Sequence, residues 1–247
     1  MFDVNLTFHE LDKTRLKQPL PEFLPSNRGE RTRVITEDEL NKTTRQWFGE
    51  FERRVEFLAD HGLDIAWLYE WSAKYLWSWL TLDMSRNREL YTEDLRYKDP
   101  TTFGRTLVGL DQFVDYNMAF FGAISSWRYD PFPDQTYIDV TPDGETRMVI
   151  RYMGSGFFDG TLRMYPYDDT APSLTGRGTF VQATAVDRYH FTPDGRMYFG
   201  ETLWDFMDMA QTSGLAPRDD SWQFKAILQA TRLPGLAQRI RRRTPKQ

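Results

Sequence analysis

Cysteine is absent from the chain. That excludes a disulfide framework, a thiol nucleophile and any thiolate metal site. Histidine is scarce: His9, His61 and His190 lie far apart, with none of the close helical spacing that metal ligands use. Long apolar runs are missing, so nothing is long enough to span a bilayer. The opening MFDVNLTFHE has neither the basic start nor the apolar stretch of a signal peptide. The expected address is the cytoplasm, with no membrane partner. No glycine-rich nucleotide loop is found, so no cofactor is expected. An excess of positive charge is lacking too, and a net charge of −5 argues against nucleic-acid binding. The one basic cluster, Arg239, Arg241, Arg242, Arg243 and Lys246, reads as a solvated tail.

What the chain has in quantity is aromatic rings: 18 Phe, 12 Tyr and 8 Trp among 247 residues. A chain of this length buries most of its unfolded surface without staples. So many rings either thicken a core or line a pocket for an apolar ligand.

Residues 1–35 are polar and carry Pro19, Pro21 and Pro25, which reads as an extended arm. Thr36 with Glu39 three residues on is a capping-box start for a helix. Leu40, Trp47, Phe48, Phe51, Val55 and Leu58 continue it at helical spacing, and His61-Gly62 ends it. A second helix is expected over residues 64–82. Ile65, Leu68, Tyr69, Ser72, Tyr75, Leu76 and Trp79 recur in steps of three and four, so Tyr75 points inward. A short helix over 87–91, an extended segment 95–99 stopped by Pro100, and a helix from Gly109 to about Ser125 follow.

The period then changes to two. Strands are expected over 137–141 and 146–153, and again over 181–191 and 197–206. Each pair is joined by the same turn, Thr141-Pro142-Asp143-Gly144 and Thr192-Pro193-Asp194-Gly195. Pro followed by Asp-Gly suits a tight hairpin with glycine in the left-handed region. Residues 154–178 read as a long loop or an extra ribbon. A C-terminal helix is expected over 222–243, broken at Leu233-Pro234-Gly235. Helices followed by antiparallel strands indicate an α+β architecture with a cavity between the layers. The expected organisation is an N-terminal extension (1–60), a central domain (61–215) and a C-terminal helical extension (216–247).

Alternation along 181–191 puts Val181, Ala183, Ala185, Asp187, Tyr189 and Phe191 on the inner face, with Gln182, Thr184, Val186, Arg188 and His190 outside. Asp187 is thus a carboxyl group on an apolar surface, where burial raises its pKa and favours the neutral acid. Structural pairing with a nearby arginine, or capping of a backbone amide, is the alternative. Asp99, just before Pro100, ends an extended segment where a side chain can face a cleft, although Asp before Pro is also common in turns.

Residues 90–100, Leu-Tyr-Thr-Glu-Asp-Leu-Arg-Tyr-Lys-Asp-Pro, with Gly109-Leu110-Asp111-Gln112-Phe113, resemble the start of a SnoaL-like domain of the nuclear transport factor 2-like superfamily. Val186-Asp187-Arg188-Tyr189-His190-Phe191 and Leu203-Trp204-Asp205 resemble its closing hairpin. The resemblance covers roughly residues 60–215. It implies a cone in which a curved antiparallel sheet packs on N-terminal helices.

Ketosteroid isomerase, a member of that superfamily, implies roles for three residues. Its general base is an Asp directly before Pro, and Asp99 occupies that place. Its neutral oxyanion-hole Asp begins an Asp-x-x-x-Phe strand, matched by Asp187 and Phe191. Its oxyanion-hole Tyr follows an Ala-basic pair, matched by Ala73-Lys74-Tyr75, with Tyr75 standing 24 positions before Asp99. The implied chemistry is proton removal next to a carbonyl by Asp99, with Tyr75 and Asp187 donating to the enolate. Trp79, Phe113, Tyr152, Tyr189, Trp204 and Asp205 are the expected substrate contacts.

The expected substrate is a small hydrophobic carbonyl compound, the reaction isomerisation, dehydration or cyclisation, and the assembly a homodimer through the outer sheet face. Two other readings stand beside this one. An epoxide hydrolase would use Asp205, but Arg151-Tyr152-Met153 lacks the acid that should follow the arginine. A non-catalytic binding or interaction module would use Tyr75, Asp99 and Asp187 as a structural network.

Overall fold

The computed structural model describes residues 2–25, 31–163, 165, 168 and 170–231. The basic cluster at 239–246 and the break at 233–235 lie outside them. Three helices precede the main sheet: α1 (Val4–Lys13), α2 (Glu37–Asp60) and α3 (Trp67–Leu80), with a small ribbon of β1 (Phe23–Pro25) and β2 (Arg31–Arg33) between the first two. The capping box of α2 forms in both directions: Thr36 accepts from the Glu39 amide, and the Glu39 carboxylate accepts from the Thr36 amide at 2.9 Å.

Helix α1 lies in the segment that composition reads as an extended arm. The prolines responsible for that reading begin only at Pro19. Before them, Asp3 caps the Asn5 amide, and the buried Thr7 and Leu11 fall on one face. Thr7 donates to the Ala73 carbonyl on α3 at 3.1 Å, and Phe8 packs edge-on against Phe48 of α2. Leu11, Trp47, Phe48 and Phe51 belong to the same buried core as Tyr75, Trp79 and Tyr189.

β3 (Tyr91–Lys98), β4 (Leu107–Val108) and α4 (Leu110–Ala123) follow, then β5 (Arg128–Val140), β6 (Thr146–Phe158), β7 (Thr161–Arg163), β8 (Ser173–Thr175), β9 (Thr179–Phe191) and β10 (Met197–Trp204). Six strands form one sheet in the order β4-β3-β10-β9-β6-β5, antiparallel except for the pair β10–β3, while β7 and β8 form their own ribbon. The chain is an α+β protein whose sheet carries helices on its concave side. Both Pro-Asp-Gly turns form, with Gly144 at φ 85° and Gly195 at φ 79°.

Three strands clearly exceed their expected lengths: β3 begins at Tyr91, straight after a 3-10 turn over Arg88–Leu90, and β5 and β6 are longer still. β5 begins at Arg128 and not near Tyr137, because Pro131 and Pro133 conceal its first half. A register shift between Pro131 and Thr136 accommodates those prolines. β6 runs on through Gly154, Ser155 and Gly156, whose small side chains break the apolar alternation. At the other end, β10 stops at Trp204, and Asp205 caps a short helix α5 (Phe206–Thr212) by accepting from the Asp208 amide at 2.9 Å. α6 (Trp222–Ala230) is the last described element.

Under α2, β5 carries a fully buried ion pair. Arg128 Nη2 donates to Asp130 at 2.8 Å, both side chains are 1% exposed, and Thr44 of α2 donates to the same carboxylate at 2.8 Å. Trp47 donates to Thr136 at 2.8 Å. These bonds fix α2 on the sheet.

Candidate active site

Asp187 lies on the inner face of β9 and is 1% exposed. Among the described residues, every hydrogen-bond partner it has is a hydroxyl. Thr202 of β10 donates to its Oδ1 at 2.6 Å, Tyr129 of β5 donates to Oδ2 at 3.0 Å, and Tyr189 makes a very short bond to the same oxygen. The network continues outward. The Tyr75 and Tyr189 hydroxyls are 2.7 Å apart, and the Tyr97 hydroxyl is 2.6 Å from Thr202 Oγ1. Each hydroxyl has one proton. With Asp187 ionised, Tyr97 donates to Thr202 and Thr202 to Asp187, while the Tyr189 hydroxyl, with its single proton, stands between the Asp187 carboxylate and the Tyr75 oxygen.

Burial raises the Asp187 pKa to about 7, the hydroxyl donors pull it back, and the charge of Asp99 adds to the rise. Burial likewise lifts Tyr75, Tyr97 and Tyr129 well above the usual phenol range, so they stay neutral donors.

Asp99 stands at the end of β3 and is half-buried. Its Oδ1 accepts from the Thr101 amide at 2.8 Å and the Thr101 hydroxyl at 2.6 Å, and its Oδ2 accepts from Trp204 Nε1 at 3.2 Å. Arg96 and Arg105 do not bond to it among the described residues; Arg105 faces Asp168 at 3.4 Å. Desolvation raises the Asp99 pKa, and the three donors moderate the rise. The carboxylate is therefore oriented but holds no counter-cation, a state suited to taking up a proton.

Asp99 lines a narrow cavity of about 30 Å³ between α3, α4 and the sheet, with room for about two waters. Its wall includes Trp79, Tyr97, Tyr116, Tyr152, Thr202 and Trp204. The strand registers lay out its floor: Thr202 opposes Asp187, Trp204 opposes Ala185, Ala185 opposes Tyr152 and Ala183 opposes Gly154. Half-buried Phe120, Trp204 and Met209 also border a second cavity of about 30 Å³ under α5.

Of the three residues given catalytic roles by resemblance, Asp99 faces the cavity. Tyr75 and Asp187 sit together one layer behind its wall, joined through Tyr189, and Thr202 and Tyr97 carry their network to the surface of the cavity. Trp79, Tyr152 and Trp204 line the cavity. Tyr189 belongs to the buried network, and Phe113 packs between Tyr91 and Tyr97. Asp205 is exposed, caps α5 and borders a separate, more open pocket beside β1 and β2. His190 is on the outer side, 2.7 Å from Glu145.

Motif spacing does not single out Tyr97, Thr202 or Tyr116. Tyr97 could be found by alternation, as it shares the inner face of β3 with Leu95. Thr202 could not be found that way, because a register shift in β10 between Met197 and Phe199 sets its pairing with Asp187.

No family model and no curated protein matches the chain. Several solved structures are similar in fold. One is a protein from Jannaschia sp. CCS1 described as a SnoaL-like polyketide cyclase, with 16% identity, a TM-score of 0.44, and cover of 60% of this chain and 92% of that one. A nuclear transport factor 2-like protein from Anabaena variabilis has 10% identity and a TM-score of 0.42, covering 57% and 89%. A steroid delta-isomerase from Pseudomonas aeruginosa has 14% identity and a TM-score of 0.38, covering 59% and 85%. At these identities and TM-scores the likeness assigns this chain neither a family nor a residue role.

Proposed function

We propose that this chain is an acid/base enzyme acting on a small hydrophobic carbonyl compound of steroid, terpenoid or polyketide type. The observation that carries the proposal is the Asp99 carboxylate, oriented by Thr101 and Trp204 without a cation, at the wall of an aromatic cavity backed by a protonatable acid. Asp99 takes a proton from the carbon next to the carbonyl. The C–H electron pair becomes the enolate double bond, and negative charge moves to the carbonyl oxygen. With Asp187 protonated its O–H donates to Thr202, the chain reverses, and the proton of Thr202 or Tyr97 is free to donate to that oxygen. Tyr75 supports Asp187 through Tyr189. The proton returns at another carbon in an isomerisation, or leaves with a hydroxide in a dehydration; in a cyclisation the enolate carbon attacks a second electrophilic centre of the same substrate.

The test is turnover, or deuterium wash-in next to the carbonyl, across a panel of steroid-like and polyketide-like ketones, for the wild type and Asp99→Asn. Loss of a general base lowers the rate by about 10²–10⁴-fold. Equal rates in the two proteins remove Asp99 from its role. A second reading, carriage of a ligand without turnover, is favoured by the placement of Tyr75 and Asp187 in a sealed hydrogen-bond network behind the cavity wall. Tight ketone binding with no wash-in in the wild type would select it.

A further inference from the structure

Among the described α-helices, α6 alone buries no residue. Its start is well specified: the Ser221 hydroxyl accepts from the Phe224 amide at 3.2 Å and donates to the Arg218 carbonyl at 2.6 Å. A helix of nine residues is nevertheless marginal in water and depends on the packing of an apolar face. α6 has such a face and leaves it open. Phe224, Ile227 and Leu228 share one side by their steps of three and four, and Ile227 and Leu228 are 49% and 48% exposed. Trp222, in the first turn, is 73% exposed, whereas the other seven tryptophans of the chain are buried or half-buried. Lys225 and Gln229, four positions apart, share a second side.

Charge is distributed just as unevenly. From Trp222 to Gln247 the chain has seven Lys and Arg and no Asp or Glu, while the 221 residues before carry 24 basic against 36 acidic. The cluster from Arg239 to Lys246 reads, by itself, as a solvated tail. Beside an open apolar helix that carries a tryptophan, the same charges acquire a use. An anionic lipid surface offers both an apolar layer and negative headgroups, and tryptophan settles at the boundary between them. A nucleic acid would attract the charge but would leave Ile227 and Leu228 in water. A second copy of α6 would cover the apolar face but would bring two strongly basic segments together.

We propose that α6 and the basic segment after it dock this protein on the surface of an anionic phospholipid bilayer. Trp222, Ile227 and Leu228 enter the headgroup boundary, and the positive charges are drawn to the lipid headgroups. The attachment is peripheral and reversible, and the acidic remainder of the chain is held off the same surface. Docking is independent of the chemistry proposed at Asp99.

The test uses the whole chain and co-sedimentation with vesicles of phosphatidylcholine, either alone or with about 30% phosphatidylserine. The wild type should bind the anionic vesicles and not the neutral ones, and should bind less as salt rises from about 0.1 M to about 0.5 M. Arg241→Gln, Arg242→Gln and Arg243→Gln together should weaken binding on the order of 10²-fold, at about fivefold for each charge. Trp222→Ser with Ile227→Ser keeps every charge and should weaken binding about tenfold or more. Both side chains are exposed, so this variant should keep the urea-unfolding profile of the wild type. Trp222→Phe should still bind, with a smaller change in tryptophan emission on adding the anionic vesicles.

Binding to neither vesicle, or equal binding to both, overturns the proposal. So does adsorption that needs the arginines but not Trp222 and Ile227, because α6 then has no part in it. Tighter binding to a mixed-sequence RNA than to the anionic vesicles would replace the bilayer with a nucleic acid. A dimer that Trp222→Ser with Ile227→Ser converts to a monomer, without vesicle binding, would mean that a second copy covers the helix.

Discussion

The titration of Asp187 makes the folded protein lose stability as the solution becomes less acid, across a range where most proteins change little. The carboxyl is sealed under Thr202, Tyr129 and Tyr189, and burial lifts its pKa from 3.8 to about 7. In the unfolded chain the proton is lost near the ordinary value; in the folded chain it stays until about pH 7. Between those limits the folded state holds one more proton than the unfolded state, so stability falls as pH rises. The contribution is complete below the unfolded pKa and is gone once pH passes the folded one. At about 1.4 kcal/mol per pH unit the whole interval is worth about 4 kcal/mol, of which about 2–3 kcal/mol falls between pH about 5 and about 8.

The comparison is Asp187→Asn, which has the shape of the neutral acid and no titrating proton. Urea unfolding followed by tryptophan fluorescence should give a wild-type stability that declines by about 2–3 kcal/mol more than that of the variant over this range. Asp99 contributes in the same direction and is present in both proteins, so the difference reports Asp187 together with its coupling to Asp99. Glu145, held down to about 2 mainly by hydrogen bonding from Arg147, titrates outside the range. Parallel profiles for the two proteins would refute the reasoning, because they would mean that Asp187 is ionised when buried or is not buried in solution.

Three further outcomes follow from the same geometry. Thr202→Val keeps the shape of the side chain but cuts the link between Asp187 and the cavity; deuterium wash-in should fall by about 10²-fold, with a loss of about 1–3 kcal/mol in urea unfolding. Trp204→Phe removes the donor to Asp99 Oδ2 and so raises the pKa of that base further; the rising limb of the pH–rate profile should move to higher pH. Asp130→Ala removes the nearer carboxylate from buried Arg128 and leaves it Asn41 at 2.7 Å and Glu37 at 3.9 Å; unfolding should show a loss approaching about 3 kcal/mol with no change in the pH dependence of catalysis.

Much of the frame was legible because it is written in local chemistry. The capping box of Thr36 and Glu39, the spacing that turns Tyr75 inward, the two Pro-Asp-Gly turns and the alternation that buries Asp187 each need only a few neighbouring residues to act. Where the local signal is mixed, the reading goes astray. Prolines from Pro19 onward hide the helix before them, Pro131 and Pro133 mask the first half of β5, and Gly154 and Gly156 look like a loop because their purpose is to seat Trp127 from another part of the chain.

The site divides in the same way. Asp99 and Asp187 stand out in the sequence as a carboxyl before proline and a carboxyl on an apolar face. Which groups stand between them was decided by the assembled sheet. Counting back from the Thr192-Pro193-Asp194-Gly195 turn puts Glu201 opposite Asp187, but the register shift between Met197 and Phe199 puts Thr202 there. One extra residue in a strand exchanges its two faces, so a bulge that no propensity announces sets a hydroxyl, and not a second carboxylate, against the buried acid.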